Sequence, residues 1–134
     1  KEKQNQGLYS PVQASSRIYS SQDIERWHIN EMKSLLSCFS GVKFIFDDVK
    51  QKYYPVLRDA ITSFRSKNEG KPLVVIDDTP FIDFDILDYP VNDIEEIFLL
   101  KGSDAAIWGP KASNGIIVII TQRGKSTKIE QKEE

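Results

Sequence analysis

The chain is nearly devoid of residues that do covalent or metal chemistry: among 134 residues there is one cysteine, Cys38, one histidine, His28, and one methionine, Met32. A lone cysteine excludes an internal disulfide framework and a multi-cysteine zinc site. No second ligand stands at metal spacing from the lone histidine, and from it no Ser–His–acid or Cys–His constellation assembles. There is no run of about eighteen apolar residues, so no helix of this sequence spans a bilayer, and no signal-peptide pattern opens it. Positive charge is not in surplus either: 18 Lys and Arg face 20 Asp and Glu, for a net charge of -2 and a pI near 5.5. That balance supplies no polycation for nucleic acid. The first residue is Lys1 rather than Met, as expected of an excised or processed piece of a longer protein.

What is present is ordinary globular composition, 40% hydrophobic and 28% charged, at the length of one domain. The informative stretch runs from Pro72 to Gly124. Leu73–Ile76 and Ile116–Thr121 are short β-branched runs bounded by Pro, Gly, Asn and Asp, which predicts strands buried on both faces. Ile97–Lys101 (IFLLK) is a third strand of the same kind. Between the last two lies a glycine-bounded segment, Gly102–Gly115, in which Ser103 or Asp104 is placed to cap a short helix carrying Ala105 to Trp108. Asn114-Gly115 is a tight turn pair into the last strand. The run from Phe81 to Pro90 predicts a loop with one helical turn at Ile86 and Leu87.

Residues 1–16 are polar and aperiodic and read as a tether; 17–125 form the folded unit; 126–134 are a charged tail or linker. Ser20, Ser21 and Asp23 make a helix start. Ile24, Trp27, His28, Met32, Leu35, Leu36 and Phe39 then recur at helical intervals, predicting one amphipathic helix closed near Gly41. His28 and Cys38 on or beside that stripe read as core or boundary side chains. Val42–Asp47 favours a strand, and Tyr53-Tyr54-Pro55 a turn into an edge. For Asp47 to Gly70 two readings stand together: a brief strand at Val56–Arg58, then a helical turn or two through Leu57, Ala60, Ile61 and Phe64.

Several motifs invite an enzyme or metal reading and fail on their chemistry. Val75-Ile76-Asp77-Asp78-Thr79 is similar to the Asp-Thr-Gly loop of aspartic proteases, but Pro80 stands where glycine must supply an amide. The acids Asp77, Asp78, Asp83, Asp85, Asp88 and Asp93 invite calcium, yet counting from Asp83 puts Leu87 and Asp88 where an EF-hand needs an oxygen and a glycine. Gly124-Lys125-Ser126 resembles the end of a phosphate loop whose other glycine would be Ile119. Gly102, Gly109 and Gly115 do not fit the dinucleotide fingerprint. No cofactor is expected. Phe81, Phe84, Tyr89, Phe98 and Trp108 read as packing for the sheet; Phe81, Phe84 and Tyr89, if exposed together, form the first candidate partner surface.

Four blocks, PLVVIDDTP, DIEEIFLLKG, AAIWG and SNGIIVIITQRG, resemble in order and spacing the plug domain of TonB-dependent outer-membrane receptors. The nearest pattern is that of the starch-utilisation (SusC-like) branch, PLxVIDGxP, DIExIEVLKG, AAxYG, ANGVIxITTKxG. The resemblance implies an α+β domain with a small mixed sheet of about four strands flanked by helices. Such a plug lies inside a barrel of about 22 strands, blocks the pore until TonB pulls on it, and performs no covalent chemistry. It further implies a place in the bacterial outer membrane, on its periplasmic side, with TonB and the outer-membrane β-barrel or other domains of the same parent chain as partners. The positions that match are Arg58, Asp77, Pro80, Ile94, Lys101, Gly102, Gly109, Asn114, Gly115, Thr121 and Gly124, most of them with backbone roles at turns and close approaches. Three residues depart from the pattern: Asp59 and Asp78 stand for glycines, and Phe98 for a glutamate. A second reading stays open: a plug-like interaction domain of a barrel-less envelope protein, macroglobulin-like for example.

Overall fold

A computed structural model describes residues 17–57 and 70–123. Seven strands and two short helices occur there: β1 (Tyr19–Ser20), α1 (Ser21–Arg26), α2 (Met32–Ser37), β2 (Val42–Asp47), β3 (Lys52–Leu57), β4 (Leu73–Ile76), β5 (Thr79–Phe81), β6 (Ile94–Leu100) and β7 (Ile116–Thr121). Five of the strands form one mixed sheet in the order β1-β6-β7-β4-β5, with β4 and β7 parallel and the other pairs antiparallel. Among the described residues β2 and β3 pair only with each other, as an antiparallel hairpin. The small mixed sheet is as expected; its fifth strand comes from β1 and β5 being too short to show a period in the sequence.

Alternation along the central strands explains why they are apolar throughout. Val74, Ile97, Leu99, Ile117 and Ile119 face a core made with Ile24 of α1, Met32, Leu35 and Leu36 of α2, and Leu57 of β3. Their neighbours Leu73, Val75, Phe98, Leu100, Ile116 and Val118 face a second core, closed by Ala105, Trp108 and Ala112. Period-two strands covered on both faces must be hydrophobic at every position. The second cover is not the single short helix expected after Gly102 but three successive 3-10 turns, Gly102–Asp104, Ala106–Trp108 and Pro110–Ala112. Another 3-10 turn, at Ile86–Asp88, stands where one helical turn was expected.

The single helix expected from Ile24 to Phe39 is broken in two. α1 starts as anticipated, with Ser20 and Asp23 in a reciprocal capping box. It stops at Trp27 because His28 turns left-handed, with φ of 55°. The amide of Ile29 then bonds the Ile24 carbonyl at 3.0 Å, and that of His28 the Glu25 carbonyl at 3.2 Å. This is the Schellman closure, with histidine at the position usually held by glycine. Consequently Trp27 and His28 leave the apolar stripe and are exposed, while Ile24, Met32, Leu35, Leu36 and Phe39 stay buried. Cys38, expected to be buried, is exposed at the end of α2, its Sγ 3.6 Å from the Ser34 carbonyl.

Two further expectations change. Tyr53-Tyr54-Pro55 is part of β3 rather than a turn; proline is accepted there because a two-stranded sheet has only edges. The apolar run Leu73–Ile76 ends, as its acids and Thr79-Pro80 suggest, but Thr79-Pro80 at once opens a further strand, β5, after a two-residue turn at Asp77 and Asp78 with φ of 50° and 71°. Positive φ at both positions is the type I′ geometry that matches strand twist. The helical spacing of Ala60, Ile61 and Phe64, the tether 1–16 and the tail 126–134 lie outside the described residues.

Candidate functional site

Apart from Gly109, which lies between the 3-10 turns Ala106–Trp108 and Pro110–Ala112, the described motif positions gather at the two ends of the sheet. At one end β4 runs out into Asp77 and β7 into Thr121, with Ile94 opening β6 beside them and paired with Thr121. The Asp77 carboxylate accepts the amide of Thr121 at 3.0 Å and also its hydroxyl. Pro80 follows in β5. Close by, Asp93 accepts the Tyr89 phenol at 2.6 Å and the Arg123 guanidinium at 3.0 Å. Burial, and then the neighbouring Asp93 carboxylate, push the Tyr89 phenol up to about 12. Burial works to raise the Asp93 carboxyl, but the bonds from Tyr89 and Arg123 outweigh it and hold it below its ordinary value.

At the other end β6 leaves through Lys101 and Gly102 while Asn114 and Gly115 lead into β7. Asn114 is buried and donates its side-chain amide to the Lys71 carbonyl at 3.2 Å, and the Gly115 carbonyl receives the amide of Leu73 at 3.0 Å. These bonds lock the start of β7 to the start of β4. Gly102, Gly109 and Gly115 have φ of 56°, 84° and 91°, the left-handed region that favours glycine. Arg58 and Gly124 lie outside the described residues.

Three of the six acids that suggested calcium, Asp83, Asp85 and Asp88, are paired with lysines, a result invisible in the sequence because the lysines lie on distant segments. An alternating chain of charges runs Asp47–Lys71–Asp83–Lys50–Asp85–Lys52–Asp88, with successive distances of 3.0, 2.9, 3.1, 3.1, 3.5 and 2.6 Å. It joins the β2–β3 turn to the loop after β5. Its most enclosed link is Lys71 with Asp47, their side chains 14% and 11% exposed, and the Lys71 ammonium lies 4.8 Å from the centroid of the Tyr54 ring. The bond from Lys71 holds the carboxyls of Asp47 and Asp83 below the usual range, and the bond from Lys50 does so for Asp85. Burial works to lower the Lys71 ammonium, but Asp83 and Asp47 raise it on balance. Asp85 raises Lys50, and Asp88 raises Lys52. Among the described residues, no cluster of three His, Cys, Asp or Glu has metal-binding geometry.

The aromatic candidates divide. Phe98 is fully buried and Trp108 nearly so, both in the core under the 3-10 turns; Trp108 Nε1 has no hydrogen-bond partner among the described residues. Phe81, Phe84 and Tyr89 form a ring series with centroids 5.3 and 6.2 Å apart, Phe81 exposed and the other two half-buried. Sequence reasoning missed a larger exposed apolar set on the hairpin, Ile45, Phe46, Val49 and Tyr53. Its only signal was a strand pattern without clean alternation.

The arrangement fixes the backbone at both ends of the sheet. Its architecture, a five-stranded mixed sheet with few helices, is that of a plug domain. The siderophore receptor PirA from Acinetobacter baumannii matches over 88% of this chain and 19% of its own, with a TM-score of 0.64 and 18% identity. A mutant of the ferric enterobactin receptor PfeA from Pseudomonas aeruginosa, in complex with enterobactin, matches over 84% of this chain and 18% of its own, with a TM-score of 0.62 and 18% identity. At that identity the likeness is one of fold, and the chain spans about a fifth of either receptor's length. Residues 10–116 match the family described as TonB-dependent Receptor Plug Domain. The chain belongs to that family. Plug domains of TonB-dependent receptors are components of transporters, not enzymes.

Proposed function

We propose that residues 17–125 are the plug of an outer-membrane receptor that fills a β-barrel of its parent chain and admits nutrient to the periplasm when TonB pulls. The observation that carries this reading is the family match over residues 10–116, joined to a fold shared with solved siderophore receptors. The motif positions Asp77, Pro80, Ile94, Lys101, Gly102, Gly109, Asn114, Gly115 and Thr121 act as architecture, clamping the two ends of the sheet. The cargo we infer is a glycan, on the SusC-like blocks from Pro72 to Gly124.

The second reading, docking within a barrel-less envelope protein, draws support from Phe98. It is buried where the family carries a carboxylate, so β6 offers no charge at that position for a polar contact network. The two readings part on the reading frame beyond Glu134. The receptor requires about ten-residue strands of alternating polarity there. Deleting residues 17–125 from the parent receptor is expected to raise its conductance in planar bilayers; unchanged conductance overturns gating. A strain lacking the parent gene is expected to lose growth on one glycan and keep growth on ferric siderophores, and the reverse result removes the glycan assignment.

A further inference from the structure

The β2–β3 hairpin is held to the body by two kinds of force, segregated along its length. Near its base, Val56 and Leu57 are buried, and Val42 and Phe44 pack on the core that contains α2. Beyond Phe44 the apolar side chains turn outward: Ile45, Phe46 and Tyr53 are exposed, and Val49 is 93% exposed. Among the described residues, charged side chains tie this outer half to the rest, with Lys33 of α2 also 4.8 Å from the centroid of the Tyr53 ring. Asp47, Lys50 and Lys52 bond to Lys71, Asp83, Asp85 and Asp88, and Tyr54 lies beneath the Lys71 ammonium.

We propose that the outer half of this hairpin, residues 45–54, is a strap fastened by the alternating lysine–aspartate chain and released by ionic strength while its base stays docked. The physics separates the halves cleanly. Salt shortens the screening length from about 10 Å at 0.1 M to about 3 Å at 1 M, so exposed ion pairs weaken. Apolar burial, which holds the base, is not weakened by the same change. Lys50, Lys52, Asp85 and Asp88 stand toward solvent and release first; the enclosed Asp47–Lys71 link releases last. Release swings the turn at 48–51 away from the loop that carries Asp83 and Asp85. The inference does not rest on the cargo or on a barrel.

Amide hydrogen exchange on the full chain, read by mass spectrometry at about 0.05 M and about 1 M NaCl, tests it. Amides of residues 45–54 are expected to exchange about tenfold faster at the higher salt relative to those of β7 in the same sample. The Lys50→Gln, Lys52→Gln, Lys71→Gln triple variant, which removes every lysine of the chain of charges, is expected to show the fast rate already at low salt and little further response. Hairpin and β7 amides changing in step, or neither changing, overturns the strap. So does a salt response that survives intact in the triple variant.

Discussion

Asp77, in the turn between β4 and β5, accepts hydrogen bonds from both the amide and the hydroxyl of Thr121, a residue 44 positions later at the end of β7. One carboxylate thereby seals the parallel pair β4–β7 against fraying. Thr121 is fully buried, so Thr121→Val removes the hydroxyl at nearly constant volume and is expected to cost about 1 kcal/mol. Asp77→Ala loses both bonds and a side chain that tolerates φ of 50°, and is expected to cost about 2 kcal/mol. Urea denaturation of the two single variants and the double variant checks this. A double variant whose loss equals the sum of the singles would show that the two residues are not coupled.

Asp78 occupies the second turn position with φ of 71°, where the family pattern carries glycine. Asp78→Gly relieves left-handed strain at some cost in unfolded-chain entropy, and is expected to raise stability by about 0.5 kcal/mol. The denaturation midpoint should rise with no change in slope; a fall would contradict the turn geometry.

The same reasoning applies to His28, which closes α1 with φ of 55° and is exposed. His28→Gly is expected to stabilise by about 0.5–1 kcal/mol, and His28→Ala to change stability little. Gly115→Val places a β-branched residue at φ of 91° in a buried position and is expected to cost more than 2 kcal/mol. Gly102→Val, in open space at φ of 56°, should fall between His28→Ala and Gly115→Val. Thermal melts of the four variants test the ranking.

The Tyr89 phenol is expected to ionise near pH 12. Because its folded value lies above that of the unfolded chain, its contribution to stability is complete below about pH 10 and is lost as pH rises through about 12. Ultraviolet titration of tyrosinate should lose that late step in Tyr89→Phe and show it at lower pH in Asp93→Asn. The depressed carboxyls of Asp47, Asp83, Asp85 and Asp93 act at the other end of the scale: their contribution is present above about pH 4 and is lost as pH falls through their lowered values.

Pro80 guards the sheet edge. Pairing of Val75 with Pro80, next to a turn flanked by Ile76 and Thr79, directs the Pro80 backbone away from β4, toward the open side of β5. Proline offers no amide to an incoming strand. Pro80→Val restores the donor and is expected to increase self-association, read as a concentration-dependent shift in sedimentation velocity. A strictly monomeric variant would remove that role from Pro80.

Much of the sheet was legible because its signals are local. Leu73–Ile76, Ile97–Lys101 and Ile116–Thr121 are largely β-branched, aliphatic or aromatic runs bounded by turn residues, and burial on both faces forces their strands to be apolar; the middle strand in fact begins earlier, at Ile94, and ends at Leu100. The order of the motif blocks carried the family for the same reason. The break at His28 was not legible, since a helical stripe continues through it and no glycine marks the closure. Ser20 with Asp23 could be read as a cap because capping is completed within one turn.

Sequence alone therefore determined the apolar strands, the turn chemistry around Asn114-Gly115 and the absence of a cysteine framework, all set by neighbouring residues along the chain. Tertiary structure decided what depends on distant partners: Asp77 with Thr121, Asn114 with Lys71, and the acids around Asp83 with lysines 12 to 36 positions away. A charge's partner is chosen by the path of the backbone between the two residues, and no local pattern encodes that path.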